Sequence, residues 1–405
     1  MVAAAPVEVY LTSVHDEIAA ATKPVVVAVG GAGSSKSHSI AQLFVHLLIN
    51  SDDKVLGVAR KTMPALRRTA MQLIIDLLED QGLYSKVAHN QTNHTMRYGK
   101  NRLQFFSLDE PDKIKSFNAN FMWLEEANEF TWKDYGIIDL RLNRPAAGGI
   151  NRMYVSLNPV DENCWIKTKL CDDNPDVEVI HSTYRDNPFL DAPYRAKLEG
   201  LINLDPNYHR IYARGEWGKL ENIIYPEWVL VDGMPYDAEI ERYGLDFGYE
   251  HPTVLVHIMV TGHNLYIDEA VYQNHITNSD LIGLMAPLPR WPIYADSAEP
   301  QRIEEISRAG FECYGAVKSV TVGIDQVNRL KIHITKRSVG IIKEIRGYAR
   351  RQDKDGHIME DPIKFNDDGM DALRYAVMGR DKPQAEGVAY YDTMDTLEGM
   401  NIDLV

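Results

Sequence analysis

What this chain of 405 residues lacks narrows its function first. It holds three cysteines, Cys164, Cys171 and Cys313, an odd number at no metal-ligand spacing, which excludes a disulfide framework or zinc module and leaves reduced, buried thiols. No stretch approaches the roughly 20 apolar residues that cross a bilayer. The opening MVAAAPVEVY has neither a basic leader nor a long apolar core, so the expected location is cytoplasmic, without a membrane partner. No internal repeat is visible. Positive charge is also short: 43 Lys and Arg stand against 58 Asp and Glu, a net −15, unlike proteins that hold nucleic acid passively. An acidic body remains compatible with a machine that must release nucleic acid in every cycle. Basic residues do cluster, at Arg60, Lys61, Arg67 and Arg68 and again at Arg329, Lys331, Lys336, Arg337, Lys343, Arg346, Arg350 and Arg351, although solvated helix faces explain such runs equally well.

What is present is globular: 45% hydrophobic, 25% charged, and long enough for two cores. The first half alternates apolar β-rich runs (24–29, 55–59, 103–107, 121–124, 153–157) with helical patterns (39–49 and 65–81), which implies a mainly parallel sheet covered by helices on both faces. From Ser182 to Gly218 the pattern turns helical and aromatic, and Pro226 follows a proline- and glycine-punctuated stretch. The second half opens with three strand candidates, 242–247, 253–260 and 265–272, on short turns, an antiparallel meander; a helix, a short strand at 292–295 and further helices ending at 368–378 follow. The pattern divides the chain at 1–180, 181–225, 226–380 and 381–405, and with the motifs described next the expected division is an α/β P-loop ATPase core, a helical subdomain and linker, a ribonuclease-H-like α/β nuclease and an acidic flexible tail.

The loop Gly30-Gly31-Ala32-Gly33-Ser34-Ser35-Lys36-Ser37 lies between a strand and a helix, where backbone N–H groups cradle phosphate, Lys36 reaches the β and γ phosphates of ATP and the Ser37 hydroxyl binds Mg²⁺. Ser35 stands where the motif carries its last glycine. The apolar run 121–124 ends in Glu125-Glu126, which pairs an Mg²⁺-holding carboxylate, Glu125, with a general base, Glu126. A third run, 154–157, ends at Asn158, and Ser156 and Asn158 would sense hydrolysis if that strand lies beside the γ-phosphate.

In the second half Asp246 sits in an apolar strand, where a charge is costly unless paired or metal-bound, and Asp296 ends the apolar run 291–295 in the same way. Asp368 and Asp371 share one helical face. Separated acids on two strands and a helix supply the hard ligands that two Mg²⁺ or Mn²⁺ ions require for phosphodiester hydrolysis. Glu269 is a candidate for a further ligand.

Taken in order, GGAGSSKS, the strand ending in Glu125-Glu126, SLNP, STYRDNP, GLDFGY, YADSAEP and DDGMDALRY resemble the large terminase subunits of double-stranded DNA phages, especially the group in defective Bacillus-type prophages. The resemblance spans nearly the whole chain. It implies ATP-driven movement of double-stranded DNA through a portal protein into a procapsid and cutting of concatemeric DNA. It also implies a small terminase subunit as partner, a ring assembled on the portal and a location in the host cytoplasm. The family's catalytic and metal-binding acids fall on Glu125, Glu126, Asp246, Asp296 and Asp371. Many members carry an arginine inside the phosphate loop, where this chain has Ala32, so the charge-stabilising finger must come from Arg60 or from a neighbouring subunit. A helicase or repair nuclease shares both chemistries, and a degenerate ribonuclease-H-like module that only positions DNA is the third reading.

Overall fold

In the computed structural model of the chain, residues 9–108, 117–145, 149–219, 222–352 and 357–379 are described. The run Val25–Gly30 (β1) is β-branched and small, and it is buried almost throughout, the composition of a strand covered on both faces. Seven more strands join it: β2 (Val55–Arg60), β3 (Ala88–Asn90), β4 (Thr95–Tyr98), β5 (Asn101–Ser107), β6 (Phe121–Leu124), β7 (Arg152–Leu157) and β8 (Val177–Ser182). Their order is β3-β4-β5-β2-β6-β7-β1-β8, parallel from β5 to β8 with an antiparallel β3–β4 edge. Helices Lys36–Asn50 and Gln72–Asp80 bury Ile40, Phe44, Ile74 and Leu78 against one face, and Phe130, Ile138 and Ile166 cover the other.

The sheet order matters for chemistry. Strand β7 lies between β1 and β6, so Asn158, just past the end of β7, stands beside the phosphate loop. The predicted helix 65–81 forms, but with a π-helical turn at Arg67–Met71, an irregularity that often marks functional positions.

The second sheet contains β9 (Trp228–Val231), β10 (Ile240–Asp246), β11 (Thr253–Thr261), β12 (Asn264–Gln273), β13 (Ile293–Ala295), β14 (Cys313–Gly315) and β15 (Lys331–Thr335), in the order β14-β13-β10-β11-β12-β15-β9. The predicted meander is β10-β11-β12, with parallel strands added on both sides. Helix Asp368–Met378 lies on β10 so closely that a Cβ at Gly244 would stand 1.8 Å from the Ala372 carbonyl oxygen, which only glycine avoids.

Two expectations need correction. The basic stretch 329–351 is not only helix: it contains β15, the helix Val339–Gly347 and the short strand Arg350–Gln352. Several of its charges, and those at 60–68, are held by acids rather than left on solvated helix faces. Lys61 pairs with Asp134 at 2.9 Å, Lys336 with Asp232 at 2.8 Å, Arg68 with Glu269, Arg337 with Asp268, and Arg346 with Glu129. The acidic-tail expectation, 381–405, lies outside the described residues.

Candidate active sites

The phosphate loop is held from behind by neighbouring backbone. Gly31 donates to the Ser182 carbonyl at 3.1 Å and Ala32 to the Tyr212 carbonyl at 2.8 Å. A Cβ at Gly30 would approach Ser182 Oγ to 2.4 Å, and one at Gly31 would approach the Tyr212 oxygen to 2.4 Å, so both glycines permit this close seat. Ser35 has φ +63°, a left-handed conformation that costs a serine about 1 kcal/mol and explains why glycine is the expected residue there. Its hydroxyl lies 3.1 Å from Thr12 Oγ1. Ser34 accepts from the Ser182 hydroxyl at 3.0 Å.

Lys36 donates to the Gly31 carbonyl at 3.0 Å and to Asn158 Oδ1 at 2.7 Å, two neutral oxygens. Burial pushes its ammonium down to about 8. Asn158 thus touches the loop's lysine, as its strand position suggests, whereas the Ser156 hydroxyl accepts from the Trp123 indole at 2.9 Å inside the core and does not reach the loop. Ser37 is half-buried at the start of the helix.

At the end of β6, Glu125 is buried; the Thr69 hydroxyl donates to its Oε2 at 2.6 Å and the Arg60 guanidinium lies 3.5 Å away. Burial raises the Glu125 carboxyl above its ordinary value, and Arg60 counters that shift. Arg60 is therefore not placed as a finger: it is buried, and its nitrogens bind Glu125, Glu129 at 3.4 Å and Thr69 at 2.8 Å. It positions Glu125. Glu126, at φ +49°, faces a cleft of about 320 Å³ shared with Glu129, Asn158, Tyr212, Lys343, Arg346 and Gly347. A strained glutamate opening into a cleft is a frequent device at reactive positions. The cleft lies between the two sheets, and its far wall comes from helix Val339–Gly347, which in the sequence is only part of a basic stretch. Glu129 is a further acid of this cleft that motif reading misses, although its three-residue spacing from Glu126 is visible in the sequence.

The second acid group forms where β10 and β13 end side by side. Leu245 pairs with Ala295, and the Asp296 amide donates to the Leu245 carbonyl at 3.1 Å, so Asp246 and Asp296 leave adjacent parallel strands together. Helix Asp368–Met378 brings Asp371 to the same cleft of about 350 Å³. Burial, reinforced by Asp371, Asp368 and Asp296, pushes the Asp246 carboxyl up to about 8, the behaviour of an acid in need of a cation.

Lys318 pairs with Asp296; Lys364 lies 3.0 Å from both Asp367 and Asp371; Arg374 pairs with Asp371. Among the described residues no three acids or histidines converge tightly enough to hold an ion as they stand. The oxygen-only donor set and the elevated Asp246 nevertheless fit hard divalent cations. Asp368 adds to the negative field from the first turn of its helix, and Asp367, which the sequence motifs do not single out, joins it.

Glu269 does not join this cluster. Its carboxylate is buried, accepts from the Ile341 amide at 3.0 Å and pairs with Arg68, so it ties the second sheet to the first domain. The alternation of β12 leaves its direction open, and the cross-domain arginine that claims it is 201 residues away in sequence.

A phosphate-loop parallel sheet followed by a mixed sheet bearing an acid cluster defines a nucleotide-driven machine with a nuclease domain. Residues 22–216 match the family model for phage terminase large subunits, and residues 246–378 match that for the terminase RNase H-like domain. The chain belongs to the phage large terminase family: it is an ATPase of viral genome packaging joined to a DNA-cutting nuclease. It is 28% identical over 390 residues to the PBSX phage terminase large subunit of Bacillus subtilis strain 168, covering 86% of this chain and 89% of that one. The large terminase of a thermophilic bacteriophage is 19% identical and covers 90% of this chain and 98% of its own, with a TM-score of 0.49. The SPP1 large terminase nuclease domain with bound Mn is 24% identical, covering 38% of this chain and 96% of its own, with a TM-score of 0.35. The helicase reading is not favoured by these matches. No described helix is long and apolar enough to cross a membrane.

Proposed function

We propose that the two activities of this terminase reside in the two clefts described above, the observation that carries the reading being that Asn158, which holds Lys36, shares one cleft with Glu126, and that Asp246, Asp296 and Asp371 share another. In the first, the loop Gly30–Ser37 wraps the phosphates of ATP, and Lys36 exchanges Gly31 and Asn158 for phosphate oxygens. Ser37 and Glu125 would hold Mg²⁺, which would offset charge on the phosphates, and Glu126 would accept a proton from the attacking water. Release of Asn158 by Lys36 gives the end of β7 a direct report of nucleotide occupancy.

In the second cleft Asp246, Asp296 and Asp371, with Asp368 at the margin, would hold two divalent ions, Mg²⁺ or Mn²⁺. Bound there, such ions stabilise charge on the attacking and leaving oxygens of the phosphodiester. Lys318 and Lys364 yield the carboxylates on loading and remain as counter-charges to the DNA backbone. The domain division that accompanies this reading is 1–180, 181–225 and 226–380. The partners are double-stranded DNA, a portal protein and a small terminase subunit, with the chain in a ring on the portal in the host cytoplasm.

The test is linear duplex cleavage with Mn²⁺ or Mg²⁺ by wild type and Asp246→Ala, beside ATP hydrolysis by Lys36→Ala. Each substitution is expected to abolish its own activity alone. Normal cutting by Asp246→Ala would remove the second assignment, and normal hydrolysis by Lys36→Ala the first.

A further inference from the structure

A triphosphate carries a charge of about −4, and its transfer needs positive charge beyond one lysine. Three basic residues line the cleft, Arg60, Lys343 and Arg346, and a fourth, Lys36, lies behind its wall, where it donates to the lining residue Asn158 at 2.7 Å. Arg60 is neutralised by Glu125 and Glu129, and Arg346 by Glu129. Lys36 rests on neutral oxygens. Lys343 differs from the arginines, because no acid pairs with it and no hydrogen-bond acceptor holds it among the described residues. It belongs to helix Val339–Gly347 of the nuclease half, and that helix is fixed against the first domain at several points. Arg346 binds Glu129, Ile341 donates to Glu269, and Glu269 in turn pairs with Arg68. The charge of Lys343 is felt at Lys36, whose ammonium it helps to depress.

We propose that Lys343, contributed by the nuclease domain, is a cis-acting cation that engages the terminal phosphate of ATP in the cleft opposite Lys36. The assignment rests on the nucleotide reading of that cleft. It explains how a chain whose loop offers no cation besides Lys36, and whose Arg60 is held by two glutamates, can neutralise the departing phosphoryl group without borrowing from a neighbouring subunit. The donor is a point charge on a flexible stem reaching from a rigid helix, so arginine of similar reach should replace it in part. Because the interaction is with the terminal phosphate, it should distinguish ATP from ADP.

The test compares full-length wild type, Lys343→Ala, Lys343→Arg and Lys36→Ala in steady-state ATP hydrolysis with linear duplex DNA, and measures ADP and non-hydrolysable ATP analogue affinities by titration. Lys343→Ala is expected to lower kcat by at least ~100-fold and to weaken the ATP analogue while leaving the ADP affinity and unfolding midpoint unchanged. Lys343→Arg should recover a substantial part of kcat. Unchanged kcat in Lys343→Ala, with Lys36→Ala inactive, would overturn the role of Lys343 while leaving the nucleotide site intact. An active Lys36→Ala would instead overturn the site reading on which it rests. Equal loss of ADP and ATP analogue affinity would also overturn it, as a general effect on the cleft.

Discussion

Glu344 caps the helix that carries Asp371: its Oε2 accepts the Gly369 amide at 2.8 Å. The same oxygen takes the Met370 amide at 3.2 Å, and Oε1 accepts the Tyr272 hydroxyl at 2.8 Å. A buried acid thus satisfies three donors at the start of the nuclease helix. Glu344→Ala leaves them without a partner and is expected to destabilise the chain by about 1–3 kcal/mol, read by urea unfolding. Burial also raises the Glu344 carboxyl well above its ordinary value. Its contribution to stability is therefore full in acid and is lost as pH rises from the ordinary glutamate range through the elevated one. Glu344→Gln, which cannot ionise, should flatten that part of the stability profile; a profile identical to wild type would count against the cap.

Gly244 tests the seat of the same helix from the strand side. Because an added Cβ would meet the Ala372 carbonyl oxygen at 1.8 Å, Gly244→Ala must displace helix Asp368–Met378. The expected cost is about 3 kcal/mol, and DNA cleavage should fall sharply while ATP hydrolysis changes less than about two-fold, because the phosphate loop is on the other sheet. Retained cleavage at wild-type rate would show that the helix need not lie so close.

Lys36 makes a prediction about pH. Its ammonium titrates near 8 in the folded chain against 10.5 when free of the fold. The depressed value means that this residue's contribution to stability is present above the free value and is lost as pH falls through the folded one. Nucleotide binding has the opposite sense, since phosphate needs the charged form. ATP affinity measured by titration between pH 7 and 9 should weaken as pH rises above 8, and Lys36→Arg should remove most of that dependence. A pH-independent affinity in wild type would be inconsistent with a buried lysine on the phosphate.

Glu269 separates a metal ligand from an interdomain tie. Glu269→Gln should cut DNA with the wild-type Mn²⁺ dependence yet lower the unfolding midpoint, because Arg68 loses its buried partner. Arg68→Ala should reproduce the loss of stability. A large rise in the Mn²⁺ concentration needed by Glu269→Gln would restore the carboxylate to the metal site.

The local signals in the sequence carried both sheets' central strands, because β1, β6, β7 and β11 are mostly apolar runs that need no tertiary context to be recognised. The acids at their ends followed from the same logic. Peripheral strands are less visible: β3 is a three-residue, mostly exposed piece at the edge of its sheet, and β15, one strand in from the edge, alternates lysine and histidine with isoleucine inside a basic stretch. Arg60 shows why partner choice escapes sequence. Its two glutamates lie far along the chain, beyond the end of another strand, and nothing near it announces that the guanidinium is already paired. Lys343 escapes for the converse reason, as one charge among many until the fold removes its neighbours from competition.

Helix Val339–Gly347 has consequences for how such a molecule changes over time. Neighbouring residues of one short segment answer to different parts of the molecule: Lys343 and Arg346 border the cleft that Glu126 faces, while Glu344 between them secures the nuclease helix. Drift in this segment is felt by both halves at once, so ATPase and nuclease modules exchanged between relatives should work together only when the helix is matched to its new neighbour as well as to its own sheet. Recombination is thereby restricted at this helix, and a chimaera joined between the two sheets would inherit the mismatch.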